Sequence, residues 1–289
     1  MEEILVKVKE KPFWALFFSL SSGLIGLLVF RSVQTFNLDQ PLDWEMFFWF
    51  LLVGLLAQAI DGSLGMAYGL TSNSMLLAIG IPPSLASAWV HFAQVFTSLA
   101  SGLSHLKVGN INWPLAKRLI IPGVIGSVLG AYFLSSVDGN MIKPFIAVYL
   151  FVMGLVVIRK AFKMKSLTVN KSSKSLPALA ATGGFADAIG GGGWGPIVNS
   201  TLLGKGHSPR YAIGTGNFVE IFVSLASAST FLFILKELSL APVLGLIIGG
   251  VISSPFAALL CKNANPKVLM GVVGCLILLL SLRTLMVVL

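Results

Sequence analysis

Three acidic side chains stand where an acid is expensive. Asp61, Asp187 and Glu220 each lie inside a long apolar run, whereas the other eight acids fall in polar loops or tails. A charge at membrane depth costs several kcal/mol, about 2.5–3.5 even on the mildest insertion scale. Two uses justify that cost: handling a proton or cation, or capping a broken helix through backbone N–H groups. Asp61 and Asp187 precede Gly-rich breaks and suit either use. Glu220 follows the polar run Gly214-Thr215-Gly216-Asn217 and has no basic partner within a helical turn, which favours function. His91 stands one turn before Gln94; its imidazole can carry a proton near neutral pH, or it can simply pack.

The second kind of chemistry is anion binding. In Gly190-Gly191-Gly192-Gly193-Trp194-Gly195-Pro196, glycine exposes backbone N–H groups and proline suits the first turn of a helix. A helix N-terminus with free N–H groups is a seat for an anion. Gly62-Ser63-Leu64-Gly65-Met66-Ala67-Tyr68-Gly69 is a weaker version of the same break. Tyr68, Asn73, Ser74, Gly191, Gly192, Gly193, Trp194, Asn199, Thr215 and Asn217 are therefore the candidate substrate-binding residues. Asp61, Asp187, Glu220, His91 and Gln94 are the candidates for proton coupling. The competing use of the small and polar residues is close helix packing and hydrogen bonding between helices. There is no Walker A, HExxH or nucleophile–base motif, so no catalytic residue, metal site or cofactor is expected.

These groups need a membrane around them. The 289 residues are 56% hydrophobic and 11% charged, with mean hydropathy +0.90. That composition excludes a soluble enzyme, a disordered chain and an ordinary nucleic-acid binder. Apolar runs long enough to span occur at about 13–31, 44–60, 83–106, 115–136, 141–159, 208–235, 240–261 and 267–288, with Gly-rich stretches at 61–81 and between 176–189 and 194–205. The charged start, Met1–Pro12, and the lack of a small-residue cleavage site predict a retained first helix. Cys261 and Cys275 have neither redox nor zinc spacing and read as small apolar residues.

The chain repeats itself. Shifted by 126 residues, 61–106 matches 187–232 without a gap, with 17 identities in 46 positions. Asp61 falls on Asp187, Tyr68 on Trp194, Asn73-Ser74 on Asn199-Ser200, His91 on Asn217 and Gln94 on Glu220. Apolar bias would not align Asp, Asn and Pro. The expected fold is an all-α polytopic membrane protein. It has two inverted-topology five-element repeats with broken or re-entrant helical hairpins, plus one extra N-terminal helix. The units are a cytoplasmic N-terminus 1–12, the extra helix 13–31, a first repeat 44–159, a basic loop 160–175 and a second repeat 176–289. Five elements is an odd number, so the copies should be inverted. With the N-terminus inside, 16 of the 20 basic residues fall on the inner side, as the positive-inside rule requires, and the C-terminus lies outside. Inverted repeats with paired breaks are a signature of secondary transporters.

The segments Ile60 to Gly69 and Asp187 to Pro196 resemble the two motifs of the TauE/SafE sulfite exporter family. Ser104-His105-Leu106-Lys107-Val108-Gly109-Asn110 resembles the end of that family's third element. The resemblance covers about 50–285. It implies a permease of the bacterial cytoplasmic membrane that carries a sulfur-containing or organic anion such as sulfite, a sulfonate or sulfoacetate. Charge arithmetic adds an expectation of proton coupling, since buried carboxylates repel an anion unless they are protonated. The alternatives are a passive anion channel or a cation-coupled importer using the intramembrane carboxylates. The expected partners are a small anion, the lipid bilayer and protons, with homo-oligomerisation allowed and no nucleic acid.

Overall fold

The computed structural model describes residues 41–64, 66–162, 175–205, 207–235, 238–263 and 266–288. The expected helix at 13–31 and the segment 1–12 lie outside these residues, as does most of the basic loop. The described chain is helical throughout, with no β-strand. Its elements are α1 Trp44–Leu64, α2 Tyr68–Ala78, α3 Pro83–Lys107, α4 Trp113–Ser136 and α5 Gly139–Phe162. They continue with α6 Leu176–Gly190, a π-helical turn Trp194–Asn199, α7 Ser200–Gly204, α8 Pro209–Ile234, α9 Leu240–Asn263 and α10 Pro266–Val288.

Local chemistry explains where these helices stop. After α2, Gly80 takes φ 99°, a conformation open to glycine, and Pro82-Pro83 then cannot continue the earlier helix. Asn112 caps α4 by accepting the Leu115 N–H at 3.1 Å, with Pro114 in the first turn. Asp138 caps α5 by accepting the Asn140 N–H at 2.8 Å. The first break is shorter than its glycines suggested. Helix α1 runs through Asp61 to Leu64, and α2 begins at Tyr68. The second break leaves Gly191 at φ 68° and reopens as a π-helical turn before α7. At 1.5 Å per residue, α2 is about 16 Å long, roughly half a hydrocarbon core.

Packing interleaves the two halves of the chain. Helix α1 lies chiefly on α9, and α6 chiefly on α4. Helix α3 packs on α8, and α5 on α10. Glycine permits backbone-to-backbone contact at these crossings: a Cβ on Gly249 would lie 2.2 Å from the Leu51 carbonyl oxygen, and one on Gly126 would lie 2.0 Å from that of Ala181. Among the described residues, four helices are long and apolar enough to cross a membrane: Trp113–Ser136, Gly139–Lys160, Arg210–Ile234 and Met270–Val288. Large apolar side chains face outward on α5 (Met141, Phe145, Val148) and α10 (Val272, Leu279, Met286). Such a surface needs lipid as its solvent. This is a polytopic helical membrane protein.

Candidate functional site

The two breaks meet in the interior. A Cβ on Gly69 would sit 1.6 Å from the Gly191 carbonyl oxygen, and one on Gly192 would sit 2.1 Å from the Leu70 nitrogen. No side chain fits between them. Asn73, fully buried on α2, ties the crossing by donating its amide to the Gly190 carbonyl at 2.7 Å. Truncation would strand that carbonyl, so Asn73→Ala is expected to cost about 1–3 kcal/mol, read as a lower melting temperature in detergent.

Each break is capped by the aspartate before it. Asp61 Oδ1 accepts the Tyr68 N–H at 3.1 Å. Asp187 Oδ1 accepts the Gly193 and Trp194 N–H groups at 2.7 and 2.9 Å. In both halves the acid reaches the N–H seven residues ahead. The N–H groups expected to be free for an anion at the second break are therefore held by the protein's own carboxylate. The Trp194 indole is engaged as well, donating to the Gly216 carbonyl at 3.1 Å from a fully buried ring. At the first break, the cap residue Ala67 takes φ 110°. A non-glycine residue rarely adopts that conformation, so the first break stores strain beside the site.

Asp187 has a second partner. Its Oδ2 lies 3.2 Å from His91 Nε2, and both side chains are fully buried. His91 Nδ1 lies 2.8 Å from the Ser87 carbonyl oxygen. A carbonyl only accepts, so Nδ1 carries a hydrogen. With Nδ1 engaged by Ser87, Nε2 is the ring atom that meets the Asp187 carboxyl group. Ser87 joins the pair to the second break by donating its hydroxyl to the Ala188 carbonyl at 2.5 Å.

The three intramembrane acids converge. Asp61, Asp187 and Glu220 line one small cavity with Gln94, Tyr68, Gly192 and Pro196. Its volume, about 10 Å³ for the centre of a water-sized sphere, gives room for no more than one water. Gln94 Nε2 donates to Glu220 Oε1 at 3.1 Å across the α3–α8 contact, joining two positions that the sequence repeat aligns. The Gln94 side-chain oxygen, Oε1, is buried and has no hydrogen-bond partner among the described residues.

The remaining expected residues lie elsewhere. Thr215 accepts the Asn112 N–H at 2.9 Å and so supports the start of α4. Asn217 donates to the Ser101 hydroxyl at 2.9 Å, a bond between helices. Asn199 is buried against Gly216, and Ser74 is buried on α2. None of these four lines the acidic cavity. The sequence reading missed Lys160. Placed in a basic loop by composition, its ammonium instead donates to the Pro196 carbonyl at 2.7 Å.

The family model described as "Sulfite exporter TauE/SafE" matches residues 50–284. The chain belongs to the TauE/SafE family. A "Probable membrane transporter protein YtnM" of Bacillus subtilis (strain 168) is 44% identical over 245 residues, covering 82% of this chain and 81% of that protein. A "Probable membrane transporter protein" of Haemophilus influenzae is 29% identical over 237 residues, covering 75% of this chain and 88% of its own length. No solved structure matches. Membership makes this TauE/SafE chain a membrane transporter. Both capped breaks, the His91–Asp187 pair and the acidic cavity fall inside the matched span.

Proposed function

We propose that the protein is a proton-coupled secondary transporter for a small sulfur-containing or organic anion such as sulfite, a sulfonate or sulfoacetate. One observation carries the reading: three carboxyl groups from distant parts of the chain meet at one small cavity where two broken helices cross. The Asp187 carboxylate already occupies the N–H groups of Gly193 and Trp194, a seat suited to an external anion. Protonation of Asp187 weakens its hold on those donors and frees them for the substrate. Proton uptake and anion binding are thereby one event. Gly191, Gly192, Gly193 and Trp194 form the seat, with Tyr68, Asn73 and Ser74 bracing it from the first break, and Asn199, Thr215 and Asn217 from the second half. Asp61 and Glu220 pass protons to and from the His91–Asp187 pair, and the Gln94 amide holds Glu220 in place.

The packing supports two inverted repeats, at 44–159 and 176–289, with the basic loop 160–175 between them. The α1–α9 contact has its counterpart in α6–α4, and α3–α8 and α5–α10 pair equivalent elements. Such an arrangement lets the halves rock about a central site. The charge count supports an orientation with the 1–12 segment inside and the C-terminus outside.

The test is uptake of labelled sulfite and sulfoacetate into proteoliposomes, with and without an imposed pH gradient. The gradient should stimulate flux severalfold. Glu220→Gln keeps an oxygen for the Gln94 amide but cannot hold an exchangeable proton, so it should abolish the stimulation while leaving the melting temperature nearly unchanged. Stimulation that survives in Glu220→Gln would remove Glu220 from the proton path. The unpaired Gln94 oxygen beside Asp61 and Glu220 also favours a cation in the same cavity. Flux that follows a sodium gradient instead of a pH gradient would select that second reading.

A further inference from the structure

We propose that Lys160 is the cationic contact for the transported anion. The assignment rests on the anion reading above and adds a residue to it. Lys160 lies half-buried near the end of α5, and its ammonium turns toward the protein to reach the Pro196 carbonyl. A lysine at a helix end ordinarily extends to the polar interface. Lys160 is directed instead at the π-helical turn that begins at Trp194, whose N–H group belongs to the seat. Pro196 also lines the acidic cavity.

Among the described residues, the charge of Lys160 has no counter-ion. Among the described residues, His91–Asp187 is the one carboxylate contact within 4.0 Å of a basic group. The stretch 163–174 that follows α5 contains no Asp or Glu. A half-buried cation held by a neutral carbonyl gains most from an anion that arrives and leaves. The carbonyl can release it, because Pro196 also accepts the Ser200 hydroxyl and keeps a donor when the ammonium departs. Lys160 and the Gly193 and Trp194 N–H groups then approach the anion from the two ends of one short segment. An oxyanion presents several acceptor oxygens and can use both sets of donors together. The ammonium also answers a problem of charge: the cavity holds three acids, and an anion near them needs a nearby positive group.

The test is anion-induced thermal stabilisation of the purified full chain in detergent, titrated with sulfite and with sulfoacetate. The variants are Lys160→Gln, Lys160→Arg and, as a control for loss of one charge on the same helix, Lys143→Gln. Lys160→Gln should weaken the apparent affinity about tenfold or more, the size of a lost charge-assisted bond. Lys160→Arg should stay within about threefold, and Lys143→Gln should match the wild type. Wild-type stabilisation that persists unchanged in Lys160→Gln overturns the Lys160 assignment alone. A wild type with no response to either anion overturns the anion reading and this assignment with it. If Lys160→Gln fails to fold, protection of the wild type decides: sulfoacetate should slow acylation of Lys160 by an amine-reactive ester, read by mass spectrometry. An unchanged rate overturns the proposal.

Discussion

Gly69→Ala is expected to collapse the structure around the site. The added methyl would lie 1.6 Å from the Gly191 carbonyl oxygen, 2.6 Å from the carbonyl carbon and 2.8 Å from the Gly192 Cα. All three are backbone atoms of a break that is itself pinned by Asp187 and Asn73. A flexible side chain could turn away; this backbone cannot. Overpacking in a well-filled core costs about 1–3 kcal/mol when neighbours can shift, and the cost here should exceed that range. The measurable result is a fall of at least about 5 °C in melting temperature, or loss of folded protein from detergent extracts. Gly271→Ala on α10 is the matched control. A Cβ there meets nothing within 4 Å, and alanine favours a helix interior over glycine by up to about 1 kcal/mol. That variant should be as stable as the wild type or slightly more so. Equal behaviour of the two variants would contradict the crossing of the breaks.

The second large effect belongs to Asp187, where two substitutions should separate. Asp187→Ala strands the N–H groups of Gly193 and Trp194 and leaves His91 Nε2 without its Asp187 contact, all in a fully buried place. Breaking a buried charged pair costs about 3–5 kcal/mol, and this change also removes two caps. Asp187→Asn should be far milder. Its carbonyl oxygen can accept both N–H groups, and its amide can donate to Nε2 of a neutral His91 that keeps its hydrogen on Nδ1. The asparagine variant should therefore melt close to the wild type. Under the proposed mechanism it can no longer carry the coupling proton, so its transport should drop about tenfold or more and no longer respond to pH. A low melting temperature in Asp187→Asn would mean that the negative charge itself holds the break. Normal pH-dependent transport in that variant would assign Asp187 to structure alone.

Much of the architecture is local and can be read from the residues in order. The lengths of the apolar runs mark the helices, and Gly80, Pro82-Pro83, Asn112 and Asp138 mark where several end or begin. The two breaks and the three costly acids announce themselves because glycine runs and carboxyls are rare in apolar sequence. The alignment of 61–106 with 187–232 requires only residue identities. The sequence also fixes the membrane class, because 56% hydrophobic residues leave too few polar side chains to cover a soluble surface.

Tertiary structure decides who meets whom. These helices are apolar on most sides, so periodicity does not tell which face turns inward. Asp187 and His91 are 96 positions apart, and Gln94 and Glu220 are 126 apart. Their contacts follow from α3 crossing α8 and from the two breaks touching through glycine. The same crossing filled the expected anion seat with Asp187, sent Thr215 and Asn217 to bonds between neighbouring elements, and turned Lys160 from a loop cation into a neighbour of the second break. Residue type sets what each group can donate, accept or titrate. Only close backbone approach, possible where a crossing segment lacks a Cβ, sets the distances at which those groups act together.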